Sequence, residues 1–550
     1  MRPVHRKEDL VPSVKLSVTV RSHLEQKYNA AALGKIDRAV KDWIAANAMR
    51  GFHTVYVAVD DTAAMKTLGV SPVKGKATAA KVKRAIDALW ARLAPDYLVL
   101  VGGDDIVPHF VVANPSYDPA GDNDKEVPTD NPYASSAPFR ASKRGSYLVP
   151  DRVVGRIPDM LQDGDPAWFV DYLATASGWT SAPASVYRDT YAICCDAWKE
   201  AGAACVEYLG KPASLLLVSP PESDTSATSQ GRLASRLHMI KCHGSPLDPQ
   251  FYGQKGRSYP VALSSPNLKP RLTPRTLVAA MCCYGAQVYS PADPAATVPG
   301  EWPLASTYLR KGALSFAGST MIAWVGVNQM MCADWIVAGY LKEVLGGASV
   351  GRAFLEAKQD YLRWINQQGR APDLADEKTL IEFVLLGDPS IHPVSTAAPI
   401  IATKKPSDMP AAPVSALAFQ ERQLRRFVSA QTAKQIREVL PVRATGRGTA
   451  VARVARIFEV ARTAFEEDPQ AFGIQAKEVR VEHLKTRLPR PAAVRFGVAL
   501  AKTRPFDKRQ SIEYYWSGRR VQDGHKQVRL IKVETDTKGN VLRTAVLHSS

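Results

Sequence analysis

Two short stretches carry the residues most able to do chemistry: Lys241-Cys242-His243-Gly244-Ser245 and Met281-Cys282-Cys283-Tyr284-Gly285-Ala286. Each follows an apolar run, Leu233–Ile240 and Leu277–Met281, and each breaks at a glycine, the pattern of a buried strand ending in a tight turn. A His and a Cys are thereby expected on adjacent loops at one sheet edge. An imidazolium beside a thiol stabilises the thiolate, and a thiolate attacks carbonyl carbon. Gly244 has no Cβ to keep a substrate carbonyl away, and its N–H, with that of the cysteine, is a candidate oxyanion donor. One His and one Cys on their own are more often core residues, so the reading needs support from elsewhere in the chain.

That support comes from motifs in sequence order. His-Gly at one strand end, followed by Cys-x-Gly or Cys-x-x-Gly at the next, resembles the caspase-like cysteine peptidases. Asp96-Tyr97-Leu98-Val99-Leu100-Val101-Gly102-Gly103-Asp104-Asp105 with Ile106-Val107-Pro108, Thr129-Asp130-Asn131-Pro132-Tyr133, Val154-Gly155-Arg156-Ile157-Pro158 and Leu385-Leu386-Gly387-Asp388-Pro389-Ser390 are similar to segments of the gingipain branch. The resemblance runs over roughly residues 50 to 395. It implies a caspase-like α/β fold, of the caspase and CHAT type, and a thiol protease.

Either cysteine of the pair fits the spacing. Cys-x-x-Gly makes Cys282 the nucleophile and Cys-x-Gly makes it Cys283; Cys283 is preferred, with Cys282 filling the small buried slot before it. The resemblance further implies that Ser319, Thr320 and Trp324 line the pocket for the residue before the scissile bond, although Trp324 also suits ordinary core packing. The family's arginine-selecting acid has no counterpart near Ser146 and Tyr147, so arginine specificity is not carried over. Asp130 or Asp151 could supply such a charge, or each could simply cap a turn. The chemistry needs no cofactor. The acidic run Asp118–Asp124 allows a structural calcium, as in some caspase-like relatives, or is a solvated loop.

The elements that must position these residues alternate. Helical periodicity marks Ala30–Met49, Ala79–Leu93, Pro166–Ser177, Ala197–Leu209, Ala333–Leu345 and Val350–Trp364, and apolar runs mark strands at Thr54–Val59, Tyr97–Val101, Val154–Ile157, Thr190–Cys194, Leu215–Val218, Gly312–Gly318 and Ile381–Leu386. Such alternation predicts a mostly parallel sheet flanked by helices. Val14–Val20 reads as an edge strand. Asn114–Ser146, rich in Pro, Asp, Asn, Ser and Gly, reads as a long loop without regular structure. His238, on the opposite strand face from the rim, is assigned to the core. Cys194-Cys195 has no ligand pair at metal spacing and reads as buried thiols.

At 550 residues the chain is expected to hold several domains. The reading divides it into an N-terminal α/β subdomain (1–160), a caspase-like catalytic domain (161–395), a linker (396–415) and a basic α+β accessory domain (416–550). The net charge of +18 is uneven: residues 401–550 hold 29 Lys and Arg against 14 Asp and Glu, whereas the first 400 hold 42 against 39. The basic tail, with Tyr514, Tyr515 and Trp516, suits a nucleic acid, an acidic regulatory protein or plain solvation. Its helical patterns are Phe419–Leu440 and Thr449–Phe465, and its strand patterns Ser511–Trp516, Gln527–Val533 and Asn540–Val546. Seven cysteines, an odd number, and no leader-like apolar run predict reduced thiols and a cytoplasmic protein. No run is long enough to span a membrane.

The sequence therefore predicts a cysteine endopeptidase that cuts protein substrates through a thioester acyl-enzyme and is regulated by its basic tail, as caspase-like domains in bacterial defence are. The alternative is a latent caspase-like scaffold or sensor working through residues 401–550.

Overall fold

A computed structural model describes residues 13–119, 121–368, 370–395, 439–440, 480–485, 510–522, 525–536 and 541–549. Ten strands form its central sheet: β1 (Ser13–Thr19), β2 (Phe52–Ala58), β3 (Tyr97–Val101), β4 (Val154–Ile157), β5 (Thr190–Cys195), β6 (Leu216–Ser219), β7 (Leu237–Lys241), β8 (Leu277–Ala280), β9 (Ser315–Ser319) and β10 (Phe383–Leu386). Their order is β2-β1-β3-β4-β10-β9-β8-β7-β5-β6. Every described pairing is parallel except β9 with β10, so two parallel blocks of opposite direction meet at that seam. This is the expected helix-flanked, mostly parallel α/β sheet. Helices at Ala30–Met49, Ala79–Leu93, Ala167–Gly178, Lys199–Tyr208, Ala333–Leu345 and Val350–Gln367 fall where the periodicity put them. Two caps are visible as side-chain bonds: Asn29 accepts from Ala32 N, and Ser349 from Arg352 N.

The resemblance motifs turn out to be one interlocked buried network. Arg156, on β4, pairs with Asp130 through two hydrogen bonds (2.9 and 2.5 Å) and donates to the carbonyls of Gly102, Gly103 and Val107. Tyr133 donates to the carbonyl of Pro108. Asp388 accepts from Lys15 and from Trp43, each at 2.9 Å, and also from Ser390. Buried charges persist only when paired and hydrogen-bonded, which explains why these residue types occur together.

Three expectations need correction. β1 is not an edge strand: it lies between β2 and β3 and is buried, because the charge of Lys15 is matched inside by Asp388. Residues 114–146 do hold regular structure, since Glu126–Thr129 pairs antiparallel with Phe110–Ala113 and Arg144–Ser146 forms a 3-10 turn. A helix at Leu374–Glu382 was not anticipated, although Asp373 at its N-cap and Asp376 in its first turn form a capping box.

The linker 396–415 and both helical patterns of the tail lie outside the described residues, apart from the short strand Val439–Leu440. The tail's described strands, Arg480–Lys485, Gln510–Gln522, His525–Asp536 and Val541–Ser549, form an antiparallel sheet with Val439–Leu440. Tyr514, Tyr515 and Trp516 are buried, so they offer no exposed stacking platform for bases. Among the described residues no helix is long and apolar enough to cross a membrane.

Candidate active site

β7 and β8 are neighbours, and both site residues emerge beyond their C-terminal ends, the side of a parallel sheet where α/β proteins place their ligands. His243 begins a two-residue strand, His243–Gly244, that pairs antiparallel with Gln250–Tyr252. Gly244 lies directly on the thiol-bearing residue: a Cβ there would stand 2.0 Å from the carbonyl oxygen of Cys283 and 3.3 Å from its backbone nitrogen. Glycine is therefore required at 244 by the cysteine's own peptide group, not only by an approaching substrate.

The imidazole is held on several sides. Its Nε2 shares a 2.9 Å hydrogen bond with Oε1 of Gln254, whose amide donates to Tyr259 Oη and the carbonyl of Gly256. Trp198 and Tyr259 set their rings 4.4 and 5.4 Å from it, centre to centre. Gln254, Trp198 and Tyr259 were not singled out from the sequence, and no spacing to His243 marks them: Gln254 and Tyr259 come from one loop after the strand Gln250–Tyr252, and Trp198 from a turn beyond β5. His238 is a core residue, bonded to Tyr308 and the carbonyl of Ser235; burial lowers its pKa to about 4.

The two cysteines face different surroundings. Cys282 sits in the main core, with its sulfur 3.9 Å from the carbonyl of Ile240. The sulfur of Cys283 accepts from the N–H of Ala323 at 3.3 Å. Cys283 belongs to a second apolar cluster, with Ile322, Trp324, Met331, Leu530, Leu547 and Tyr515. The turn that follows Cys283 is pinned: the N–H of Tyr284, at φ 55°, donates to the carbonyl of Met321, that of Gly285 to Cys282 and that of Ala286 to Ser319. Cys283 is 3% exposed and His243 6%. Burial pushes the Cys283 thiol well above the ordinary cysteine range.

The other expected site residues divide. The Trp324 ring joins the Cys283 cluster, and its Nε1 donates to Ser116 Oγ at 3.3 Å. The Ser319 hydroxyl donates to the carbonyls of Cys282 and Met321, and that of Thr320 to Pro128 and Glu382, so both hydroxyls hold backbone. Asp130 is committed to Arg156 and His109; burial pushes its pKa up, but the Arg156 guanidinium outweighs that and holds it well below the usual carboxylate range. Asp151 accepts from the N–H and hydroxyl of Ser136, a turn-capping role. Neither is the acid at the thiol's turn. That acid is Asp124, which accepts from Tyr284 Oη at 2.9 Å and from Ile322 N.

Behind it, Lys378 pairs with Asp122 at 2.5 Å and lies 3.9 Å from Glu382, and burial raises the Glu382 pKa well above the ordinary carboxylate range. Of the acidic run 118–124, Asp122 and Asp124 are thus engaged with Lys378 and Tyr284. Among the described residues no group of three or more His, Cys, Asp or Glu is arranged to hold a metal.

Residues 27–160 match the family model described as peptidase family C25. The gingipain-type resemblance is therefore shown over the segment that holds the Gly102-Gly103, Asp130 and Arg156 motifs, and it supports a cysteine peptidase in general. The matched segment ends before His243 and Cys283. Eight chains of solved structures match. One, described as "Structure of Protease", has a TM-score of 0.48 and 15% identity, covering 70% of this chain and 78% of its own. No curated protein matches.

Proposed function

From the similarity of residues 27–160 to peptidase family C25, we propose that the chain is a cysteine endopeptidase with Cys283 as nucleophile and His243 as its proton-transfer partner. The observation that carries this is the contact of Gly244 with the Cys283 peptide, which holds the imidazole-bearing and thiol-bearing residues together at the sheet edge. The placement of Cys282 in the main core favours Cys283 of the pair. Gln254 acts as a positioning residue: its Oε1 on Nε2 fixes the ring's orientation.

In the reaction the Cys283 thiolate bonds to the scissile carbonyl carbon, and the oxyanion is held by the backbone N–H groups of Gly244 and Cys283. The C–N bond then breaks as the imidazolium gives its proton to the departing amine, leaving a thioester. Water adds to the thioester, the imidazole takes its proton, and the second product leaves with the thiol restored. Regulation by the basic tail belongs to the same proposal, supported by the tail's placement against the Cys283 cluster.

Turnover of a mixed peptide library by the purified full chain, with and without the tail substitution Leu547→Asp, tests the assignment. Cys283→Ala and His243→Ala are each expected to lose about 10²–10⁴-fold in kcat/KM, while Cys282→Ala keeps most activity. Full activity in Cys283→Ala would remove the basis of the reading.

A further inference from the structure

The strand Trp324–Gly326 begins one residue after Ala323, whose N–H meets the Cys283 sulfur. One side of it is taken up locally by the bridge between Val325 and Cys332. On its other side lies the chain's own C-terminal strand, Val541–Ser549, antiparallel, with Leu547 opposite Gly326, His548 opposite Val325 and Ser549 opposite Trp324. The register leads that strand toward Ala323, and so toward the thiol.

An endopeptidase must hold an extended peptide past its nucleophile. The edge of a strand does so without regard to sequence, because every residue offers the same N–H and C=O. A strand edge takes one partner at a time. Here the edge beside the thiol is already filled.

Side chains make the cover complete. Leu547 is 1% exposed and joins Tyr515 and Leu530 in the cluster that contains Cys283. A third contact lies apart from both: Lys532 bonds at 2.5 Å to Asp373, the N-cap of the helix Leu374–Glu382. Backbone pairing, apolar contact and an ion pair thus hold the same sheet over the same thiol.

We propose that the C-terminal strand Val541–Ser549 is an internal plug that occupies the peptide-docking edge of Trp324–Gly326 and buries Cys283, so that the enzyme is latent until this strand is displaced. The inference rests on Cys283 being the nucleophile. Burial also keeps the thiol protonated at neutral pH, and a protonated thiol is a poor nucleophile.

Two full-length variants test it, Leu547→Asp in the plug and Lys532→Glu at the ion pair, each checked for an intact fold by circular dichroism and thermal melting. Two rates are read: alkylation of Cys283 by iodoacetamide, mapped by mass spectrometry with Cys282 as internal control, and hydrolysis of the mixed peptide library. A thiol that reacts only from opened states should gain at least about tenfold in both rates when the closed state is weakened. An added peptide of the sequence 541–549 should reverse the gain.

Measurable hydrolysis at the same rate by wild type and both variants would overturn the plug and leave the peptidase standing. Faster alkylation with no hydrolysis in any protein would support the plug and overturn the peptidase. Unchanged alkylation in both folded variants would overturn the plug whatever the hydrolysis.

Discussion

Gly244 and Gln254 define the site at the scale of single residues. A Cβ at 244 has to displace the Cys283 carbonyl, against which it would sit at 2.0 Å. Shifts of about 1 Å at a nucleophile cost on the order of 10²-fold in rate. Gly244→Ala is therefore expected to lose about that much in kcat, together with a lowered melting temperature, in assays of a plug-released variant. Gln254→Glu would place a carboxylate on Nε2, where the amide oxygen now lies at 2.9 Å. A carboxylate stabilises the imidazolium and raises its pKa, so the alkaline limb of the kcat/KM profile should move to higher pH. A residue that merely fills space would leave that limb in place.

At the scale of elements, buried paired charges and one neutral histidine make the stability sensitive to substitution and to pH. Asp388 closes β10 by accepting from Lys15 on β1 and from Trp43 on the helix Ala30–Met49. Asp388→Ala leaves Lys15 buried without its counter-charge and should cost about 3–5 kcal/mol, measured by urea unfolding. The strand residue His238 gives a pH-dependent counterpart. Its folded pKa is lowered to about 4 by burial, while unfolded His titrates near 6.5, so the unfolded chain binds the extra proton between these values. Its neutral form therefore supports the fold above about pH 6.5, and that support is lost as the pH falls toward 4, by about 3 kcal/mol. His238→Gln should flatten this part of the stability curve relative to wild type.

Across the whole molecule, residues 13–395 are built on the central sheet, and their two halves are not independent of each other. β10 comes from residues 383–386, yet pairs with β4 on one side and β9 on the other. Cutting the chain after residue 160 would remove β10 and leave β4 with a bare, apolar edge. Such a fragment is expected to aggregate, whereas a 1–395 fragment should melt in one calorimetric transition if the sheet is the cooperative unit. Removing the tail's sheet would at the same time uncover the Trp324 strand, on whose pairing with Val541–Ser549 the proposed latency depends.

Much was legible in the sequence because it rests on local rules. Apolar periodicity located the principal helices and most sheet strands, and the ordered motifs pointed to the C25-like segment. The breaks at Gly244 and Gly285 indicated where strands would end beside a His and a Cys. Tertiary structure alone decided which side chains answer one another. Lys15 lies in a run that reads as an edge strand, and only the fold brings Asp388 to it from more than 370 residues away; Asp130, open to a specificity charge or a turn cap, is claimed by Arg156; and Asp124, legible only as part of an acidic run, meets Tyr284. Nor does a strand near residue 547 announce that its partner is Trp324–Gly326. Helical and strand periods are properties of consecutive residues, whereas charge compensation and edge pairing depend on residues that only the fold makes neighbours.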